Sequence, residues 1–542
     1  MSRSLTLLVC CALAPIASAS DPLLYSLVGD NPSGFPGFGF AVAGGLDVDG
    51  DGVPDMMVGA PYENSFGGQV KVYSGADSSL VMVLQSPDAG HFGSSVAMVG
   101  DLNGDQVNDM VVGAPEFTVF GPDPGYAEVR SGADGDLIFH WEGTDNRGQF
   151  GSSVADAGDV NNDGVPDIIV GAPLHDGAGT DSGLIRVFSG QDGDLIHTIS
   201  GASGGDDFGR SVDGIGDVNS DGFDDFVVGA PGAGPGTFRG QVRVFSGQDG
   251  SVLFTFTGAA DFDQRGWSSA GAGDVNGDGT PDIIYGTPNA FASGSAEVRS
   301  GVDGSLIQAI EGHASSSSLG RAVDGAGDVD GDGYGDLIVG DHLASAAFGE
   351  VWLISGRDGS TISQVTGGGS NDRLGGAVAG LGDVDGDGFA DVIMGADQGP
   401  VQAPGFARVY SGKPALVGDV QSLSLSSGGT LSMNLSAPTS HGGGLFWVFG
   451  SVTGFAPGLT FANGVTLPLN LDAYFDLTLL APTFFPSFIG TLDGNGDGAS
   501  ALTLPPGLDP ILVGLPFRHA FLARNFGQLD FASNPLLLEI TP

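Results

Sequence analysis

The chain has 542 residues, with 65 acidic side chains against 17 basic ones and a formal charge of −48. Of the acids, 57 are Asp and only eight Glu; lysine occurs twice, at Lys71 and Lys413, and 97 residues are Gly. Scarce Glu, Lys and Met argue against a helical protein, 41% apolar residues argue against a disordered acidic chain, and so negative a surface repels nucleic acid and anionic lipid.

Residues 1–19 carry Arg3, an apolar run from Leu5 to Ile16, and then Ala17-Ser18-Ala19. A charged start, a short apolar stretch and an A-x-A site describe a signal peptide, with cleavage expected after Ala19. A membrane anchor needs about 20 apolar residues and does not end in small ones. A lipoprotein signal is disfavoured, because Val9 stands where a small residue should precede the acylated cysteine. Cys10 and Cys11 both fall inside this segment. The expected product is a secreted chain without disulfides, with no transmembrane segment after signal cleavage.

From residue 20 one pattern recurs every 54–58 residues, its acidic loop starting at Asp47, Asp101, Asp159, Asp217, Asp274, Asp328 and Asp383. The loops read DVDGDGVPD, DLNGDQVND, DVNNDGVPD, DVNSDGFDD, DVNGDGTPD, DVDGDGYGD and DVDGDGFAD. Each is followed by an apolar run such as Ile168-Ile169-Val170, a Gly-Ala-Pro-like stop, and a strand-like segment such as Val242 to Ser246. A turn like Asp249-Gly250 then leads to another strand, Val252 to Phe256. Four short strands per unit of about 50 residues is the pattern of a propeller blade. The last unit, ending at Phe406–Gly412, lacks its fourth strand, and a spare strand, Leu23–Val28, precedes the first. A ring closes if the spare strand completes the seventh blade; an open solenoid, the alternative, has no use for that offset.

Phe-Gly pairs stand at Phe38-Gly39, Phe92-Gly93, Phe150-Gly151 and Phe208-Gly209, with Gly-Ala-Pro at Gly59, Gly113, Gly171 and Gly229. Later units drift to Arg265-Gly266-Trp267, Leu319-Gly320 and Leu374-Gly375, and to Gly286-Thr287-Pro288, Gly340-Asp341-His342 and Gly395-Ala396-Asp397. Over roughly residues 22–412 the chain resembles the FG-GAP repeats of the integrin α-subunit N-terminal propeller. The resemblance implies an all-β, seven-bladed β-propeller and a partner-binding face.

Oxygens at the first, third, fifth, seventh and ninth loop positions can wrap one hard cation. Ca²⁺ takes six to eight oxygens at about 2.3–2.6 Å in flexible geometry, whereas Mg²⁺ wants a strict octahedron. In the first loop the ligands would be Asp47, Asp49, Asp51 and Asp55, with the Val53 carbonyl. The same spacing gives Asp101, Asn103, Asp105, Val107 and Asp109, then Asp159, Asn161, Asp163, Val165 and Asp167. The fourth and fifth loops supply Asp217, Asn219, Asp221, Phe223 and Asp225, and Asp274, Asn276, Asp278, Thr280 and Asp282. The last two supply Asp328, Asp330, Asp332, Tyr334 and Asp336, and Asp383, Asp385, Asp387, Phe389 and Asp391. Up to seven Ca²⁺, one per blade, are expected. An EF-hand is rejected, because Val58, Val112 and Val170 occupy the position that needs a bidentate carboxylate. Metal-free Asx turns are the bland alternative, but several carboxylates in nine residues repel unless a cation offsets them. The second loop fits least well, since Gln106 replaces the glycine of the sharp bend. Each ion would stabilise the fold by roughly 2.7 kcal/mol at a hundredfold excess.

The acidic loops and the Asp-Gly turns fall on one face of the disc; the more variable connections fall on the other, where binding is expected. Phe66, Phe117, Phe120, Phe238 and Phe291 are candidate anchors there for an extracellular protein or glycan, with blade packing as the alternative role. No H-E-x-x-H occurs. His91, His140 and His197 read as packed or solvated, and Asp341-His342 as a decayed Gly-Ala-Pro slot. A secreted calcium-binding adhesion protein is the favoured reading, a non-enzyme. A polysaccharide-active enzyme on the same scaffold and a structural cell-surface component stay open.

After Lys413-Pro414 the period stops. Residues 418–542 alternate in runs such as Leu423–Leu425, Leu431–Leu435 and Leu467–Leu471, which points to a small β-sandwich-like domain. Asp493–Gly498 imitates a metal loop but has Ala501 at its ninth position and reads as a turn.

Overall fold

The computed structural model describes residues 23–412 except 31–36, 88–89, 116–123, 235–236, 290–292, 313–316, 370 and 398–403, and beyond residue 415 the strands alone. Residues 1–19, with the expected signal peptide, lie outside the described residues, as do Phe117, Phe120, Phe291 and Asp493. The chain divides into two compact units, one of them Leu23–Lys413.

That unit is seven four-stranded antiparallel sheets arranged as a β-propeller. The third blade is typical: Ser153–Gly158 innermost, then Asp167–Ala172, Leu184–Phe188 and Leu195–Ser200 at the rim. Its second strand is wholly buried, while the outer one alternates exposed and half-buried residues. The reason is position: the second strand is covered on both faces by neighbouring blades, so its sequence is a continuous apolar run, whereas the rim strand faces water on one side. The seventh blade takes Ala377–Gly382, Asp391–Ala396 and Phe406–Tyr410 from the end of the ring and Leu23–Val28 from its start. Leu23–Val28 pairs antiparallel with Phe406–Tyr410 in a register running from Leu23 opposite Tyr410 to Val28 opposite Phe406.

The recurring glycines and aromatics join the blades. The Phe before each glycine makes a parallel bridge to the glycine that opens the third strand of the preceding blade: Gly68 with Phe92, Gly125 with Phe150, Gly183 with Phe208. Phe38 with Gly405 closes the circle. Phe38, Phe92, Phe150 and Phe208 are at most 1% exposed. Within a blade, the glycine after the Phe donates to the glycine carbonyl of Gly-Ala-Pro, as Gly93 N–H does to Gly113 O at 3.1 Å. That second glycine also lies against the next blade: a Cβ on Gly113 would sit 2.0 Å from Gly151 O.

Where the repeat drifts, other contacts fill the slot. Arg265 replaces the Phe of the fifth blade and is 6% exposed; its guanidinium donates to Tyr285 Oη at 2.9 Å and Glu297 Oε1 at 2.6 Å. Asp341, in the sixth Gly-Ala-Pro slot, accepts from Ser318 N–H at 2.8 Å and Ala344 N–H at 3.1 Å. It ties a rebuilt loop together, so the slot is reused rather than merely decayed. Two four-residue helical turns, Glu63–Phe66 and Ala344–Ala347, lie between second and third strands and had no counterpart in the sequence pattern.

In the second unit, Gly429–Ser436 pairs antiparallel with Asp497–Leu504, and Leu445–Ser451 with Pro516–Asn525. Ser422–Ser424 pairs parallel with Leu536–Thr541.

Gly113→Ala should lower unfolding stability by about 1–3 kcal/mol, the usual cost of overpacking. Urea denaturation checks it; an unchanged midpoint would mean that the blades are not held at this backbone contact.

Candidate metal centres

Every acidic loop joins the innermost strand of a blade to the second, and the described loops share one hydrogen-bond plan. The first-position Asp accepts with both oxygens: Asp47 Oδ1 from Gly50 N–H and Oδ2 from Gly52 N–H, each at 2.7 Å. Asp383 does the same with Gly386 at 2.7 Å and Gly388 at 2.8 Å. The fifth-position Asp accepts from the seventh N–H, so Val53, Val107, Val165, Phe223, Thr280, Tyr334 and Phe389 donate to Asp51, Asp105, Asp163, Asp221, Asp278, Asp332 and Asp387 at 2.8–3.1 Å. These bonds turn the carboxylates toward the loop interior before any ion arrives.

The loop turns through left-handed residues at its fourth and sixth positions, such as Gly50 (φ 80°) and Gly52 (φ 86°). Gln106 keeps that conformation without glycine, at φ 71°. A left-handed non-glycine residue costs roughly 1–2 kcal/mol, and the loop still closes, with Gln106 N–H on Asp101 Oδ2 at 2.8 Å.

The ninth position holds more than a ligand. Asp55, Asp109, Asp167, Asp225, Asp282, Asp336 and Asp391 are all 0% exposed. Each accepts from the second-position N–H at 2.8–3.1 Å (Val48, Leu102, Val160, Val218, Val275, Val329, Val384). Its other oxygen accepts from the glycine just past the third strand at 2.9–3.1 Å (Gly75, Gly132, Gly190, Gly247, Gly301, Gly356, Gly412). The carboxylate thus pins the loop to the third strand, and in some loops it accepts further donors, as Asp55 Oδ2 does from Asp49 N–H at 3.1 Å and Asp225 Oδ2 from Asn219 N–H at 3.3 Å.

In three loops carboxylates converge: one oxygen each of Asp47, Asp49 and Asp55, of Asp328, Asp330 and Asp332, and of Asp383, Asp385 and Asp391 lie within 4.8 Å of one another. Those loops have Asp at the third position. In the other four, Asn stands there, and no three carboxylates come as close among the described residues. Asn103, Asn219 and Asn276 accept from the fifth N–H at 2.9 Å. Asn161 Oδ1 is buried with no hydrogen-bond donor among the described residues. The donors are all oxygens, several carry charge, and one buried oxygen lacks a partner; this set fits a hard cation.

Electrostatics point the same way. Burial, with smaller contributions from loop neighbours, raises Asp55, Asp225 and Asp282 to about 6, Asp167 and Asp391 to about 7 and Asp336 to about 8, while backbone N–H groups pull each back. Asp330 rises to about 7, again chiefly by burial and then through Asp332 and Asp328. A divalent ion reverses this sign, because it favours the charged form.

Adjacent loops touch. Asn108 Nδ2 donates to Asp47 O at 2.8 Å. Gly335 and Ala390 N–H donate to Asp274 O and Asp328 O, both at 3.0 Å. These bonds join the first loop to the second and the fifth, sixth and seventh to one another.

On the opposite face, Phe66 is 56% and Phe238 40% exposed, and Phe66 also meets Tyr62 and His91 edge-on, with centroids 6.2 and 5.7 Å apart. Phe262, absent from the sequence-based candidates, is 59% exposed and stacks on Phe238 with centroids 5.9 Å apart. Its signal was a lone Phe in the connection between the fourth and fifth blades. His140 Nδ1 lies 3.2 Å from Glu128 Oε1, and His197 Nε2 lies 2.6 Å from Gly247 O. Asp341 and His342 do not pair: His342 Nδ1 instead meets Ser318 Oγ at 3.0 Å. Burial and then Arg321 and Arg373 push His342 down to about 3.

The FG-GAP repeat profile matches residues 38–73, 150–188 and 375–412, and an FG-GAP-like repeat profile matches 217–285. These matches fall in the first, third and seventh blades and across the fourth and fifth. The propeller resembles those of integrin α subunits. Integrin alpha-5 of Xenopus laevis is 35% identical over 219 residues, covering 37% of this chain and 20% of that protein. Integrin alpha-V of Gallus gallus is 34% identical over 210 residues, covering 36% and 20%. Integrin alpha-8 of Gallus gallus is 31% identical over 296 residues, covering 48% and 27%. The chain thus spans about a fifth to a quarter of these relatives' length. A solved structure titled "Structure of Dos1 propeller" is 12% identical, with a TM-score of 0.40 over 66% of this chain and 76% of that one.

The raised ninth-position carboxyls set a pH dependence. Without metal they hold protons in the folded chain at pH values where the unfolded chain, near 3.8, has lost them. Their contribution is full below that value and disappears as pH rises through about 6 to 8. In EDTA the melting midpoint should therefore fall between about pH 5 and pH 8, and excess Ca²⁺ should abolish the fall. Differential scanning calorimetry checks this; equal midpoints with and without EDTA at the higher pH would contradict it.

Proposed function

We propose that this chain is a secreted, calcium-bound propeller that binds an extracellular protein or glycan on the face opposite the acidic loops. Residues 1–19 direct export, and residues 418–542 form a separate β domain. Calcium is structural in this reading: up to seven ions neutralise the acidic rim and hold the loops, taking the place of disulfides. Integrin α relatives support the adhesive part, and among the described residues no helix is long and apolar enough to cross a membrane.

The observation that carries the ligand-binding part is the exposed Phe238–Phe262 stack. Both residues sit at positive φ, 45° and 69°, and Phe66 at 73°. Bulky residues in that region cost of order 1–3 kcal/mol each and cluster at binding sites. Here the strain presents apolar rings to water, which serves no purpose in the isolated propeller; aromatic anchors of this kind dominate interfaces.

A protein and glycan array probed with the calcium-loaded chain tests the reading. Capture should be lost in EDTA, and a Phe238→Ala, Phe262→Ala double variant should weaken it tenfold or more, roughly the loss of one hot spot. Full capture by the double variant would remove this face from the account.

A further inference from the structure

The innermost strands begin around a central cavity of about 340 Å³ on the face away from the acidic loops. The residue after each Phe-Gly-type pair lines its mouth, and in three consecutive blades those residues are Arg210, Trp267 and Arg321. Arg373, one residue before Leu374-Gly375, joins them. Three guanidiniums thus share one small mouth in a chain with a formal charge of −48.

Their partners are incomplete. The Arg210 and Arg321 guanidinium carbons lie 4.7 and 4.5 Å from the Trp267 ring centroid, a cation–π arrangement that leaves the N–H edges unused. Among the described residues none of the three arginines donates a side-chain hydrogen bond or lies within ion-pair distance of a carboxylate, and Arg373 Nε is buried without an acceptor. Burial and then Arg210 lower Arg321 to about 10; Asp397, which lines the same cavity, opposes this by more than Arg373 adds to it. Asp207 acts on Arg210 in the same opposing sense. Like charges that are half-buried, close together and short of acceptors call for an oxyanion, which a guanidinium fork binds bidentately.

Two further features shape the ligand. Asp213 and Asp324 stand further along the innermost strands, where burial raises both carboxyls and Asp324 raises Asp213 further. Serine hydroxyls, including those of Ser94, Ser152 and Ser269, share the wall with Val42, Val154 and Val323, a mixture that suits a ring with hydroxyls and apolar faces.

We propose that this mouth is an oxyanion subsite that takes the carboxylate of an acidic sugar unit against Arg210, Arg321 and Arg373. The subsite deepens the ligand-binding reading and rests on it. Titration of the calcium-loaded full chain with galacturonate, followed by calorimetry and Trp fluorescence, tests it. Saturable binding is expected, with no binding of glucose. Arg321→Gln and Arg373→Gln should each raise Kd at least tenfold with unchanged circular dichroism and a cooperative melt. No saturable binding, or binding unaltered in both variants, overturns the subsite. Acetyl-aspartate or inorganic sulfate binding as tightly as galacturonate overturns the sugar assignment. If the arginine variants keep full capture of an array partner that needs Phe238 and Phe262, the subsite fails while the wider reading stands.

Discussion

A carboxylate shut away from water must find other partners, and that requirement is met seven times at the ninth position of the acidic loops. Asp55 and its counterparts reach across from loop to third strand and satisfy two backbone N–H groups that would otherwise be orphaned in a dry place. The same burial makes the negative charge expensive. Each blade therefore holds a strong local tie that is also an electrostatic liability, which a divalent ion would resolve without giving up the hydrogen bonds.

The division of labour between the two faces follows from the strand order. Loops that need short, identical geometry lie on one rim, where neighbouring loops also bond to one another through contacts such as Asn108 to Asp47 O. Connections free to vary lie on the other, and there the strained, exposed aromatics and the arginine-lined mouth occur. Between the faces, glycines at the close approach of adjacent blades leave the backbones in direct contact. A rigid middle lets one rim be conserved in form within the chain while the other diversifies.

Periodicity made the architecture legible: the blade count, the acidic loops and the offset of Leu23–Val28 all follow from spacing, because each repeat carries the same local pattern. What was not legible depends on neighbours. The loop spacing marked Asp55 as a ligand but hid its bond to Gly75, which is set by tertiary packing. Arg265 read as drift from Phe, although with Tyr285 and Glu297 it makes a satisfied polar cluster in the same slot. Asp341-His342 read as a decayed slot, yet both side chains meet at Ser318, which donates to Asp341 and contacts His342 Nδ1. Arg210, Trp267 and Arg321 are separated by more than fifty residues at each step and meet only because the ring brings equivalent positions to one axis.

The central claim is that divalent ions hold the acidic rim together. Calorimetric titration of the EDTA-stripped, full-length chain with CaCl₂, with the bound ions counted by native mass spectrometry, is its most direct measurement. The account predicts several ions per chain, up to one for each blade, with Mg²⁺ unable to replace them at equal concentration. A folded chain that takes up no Ca²⁺ at millimolar concentration would contradict it.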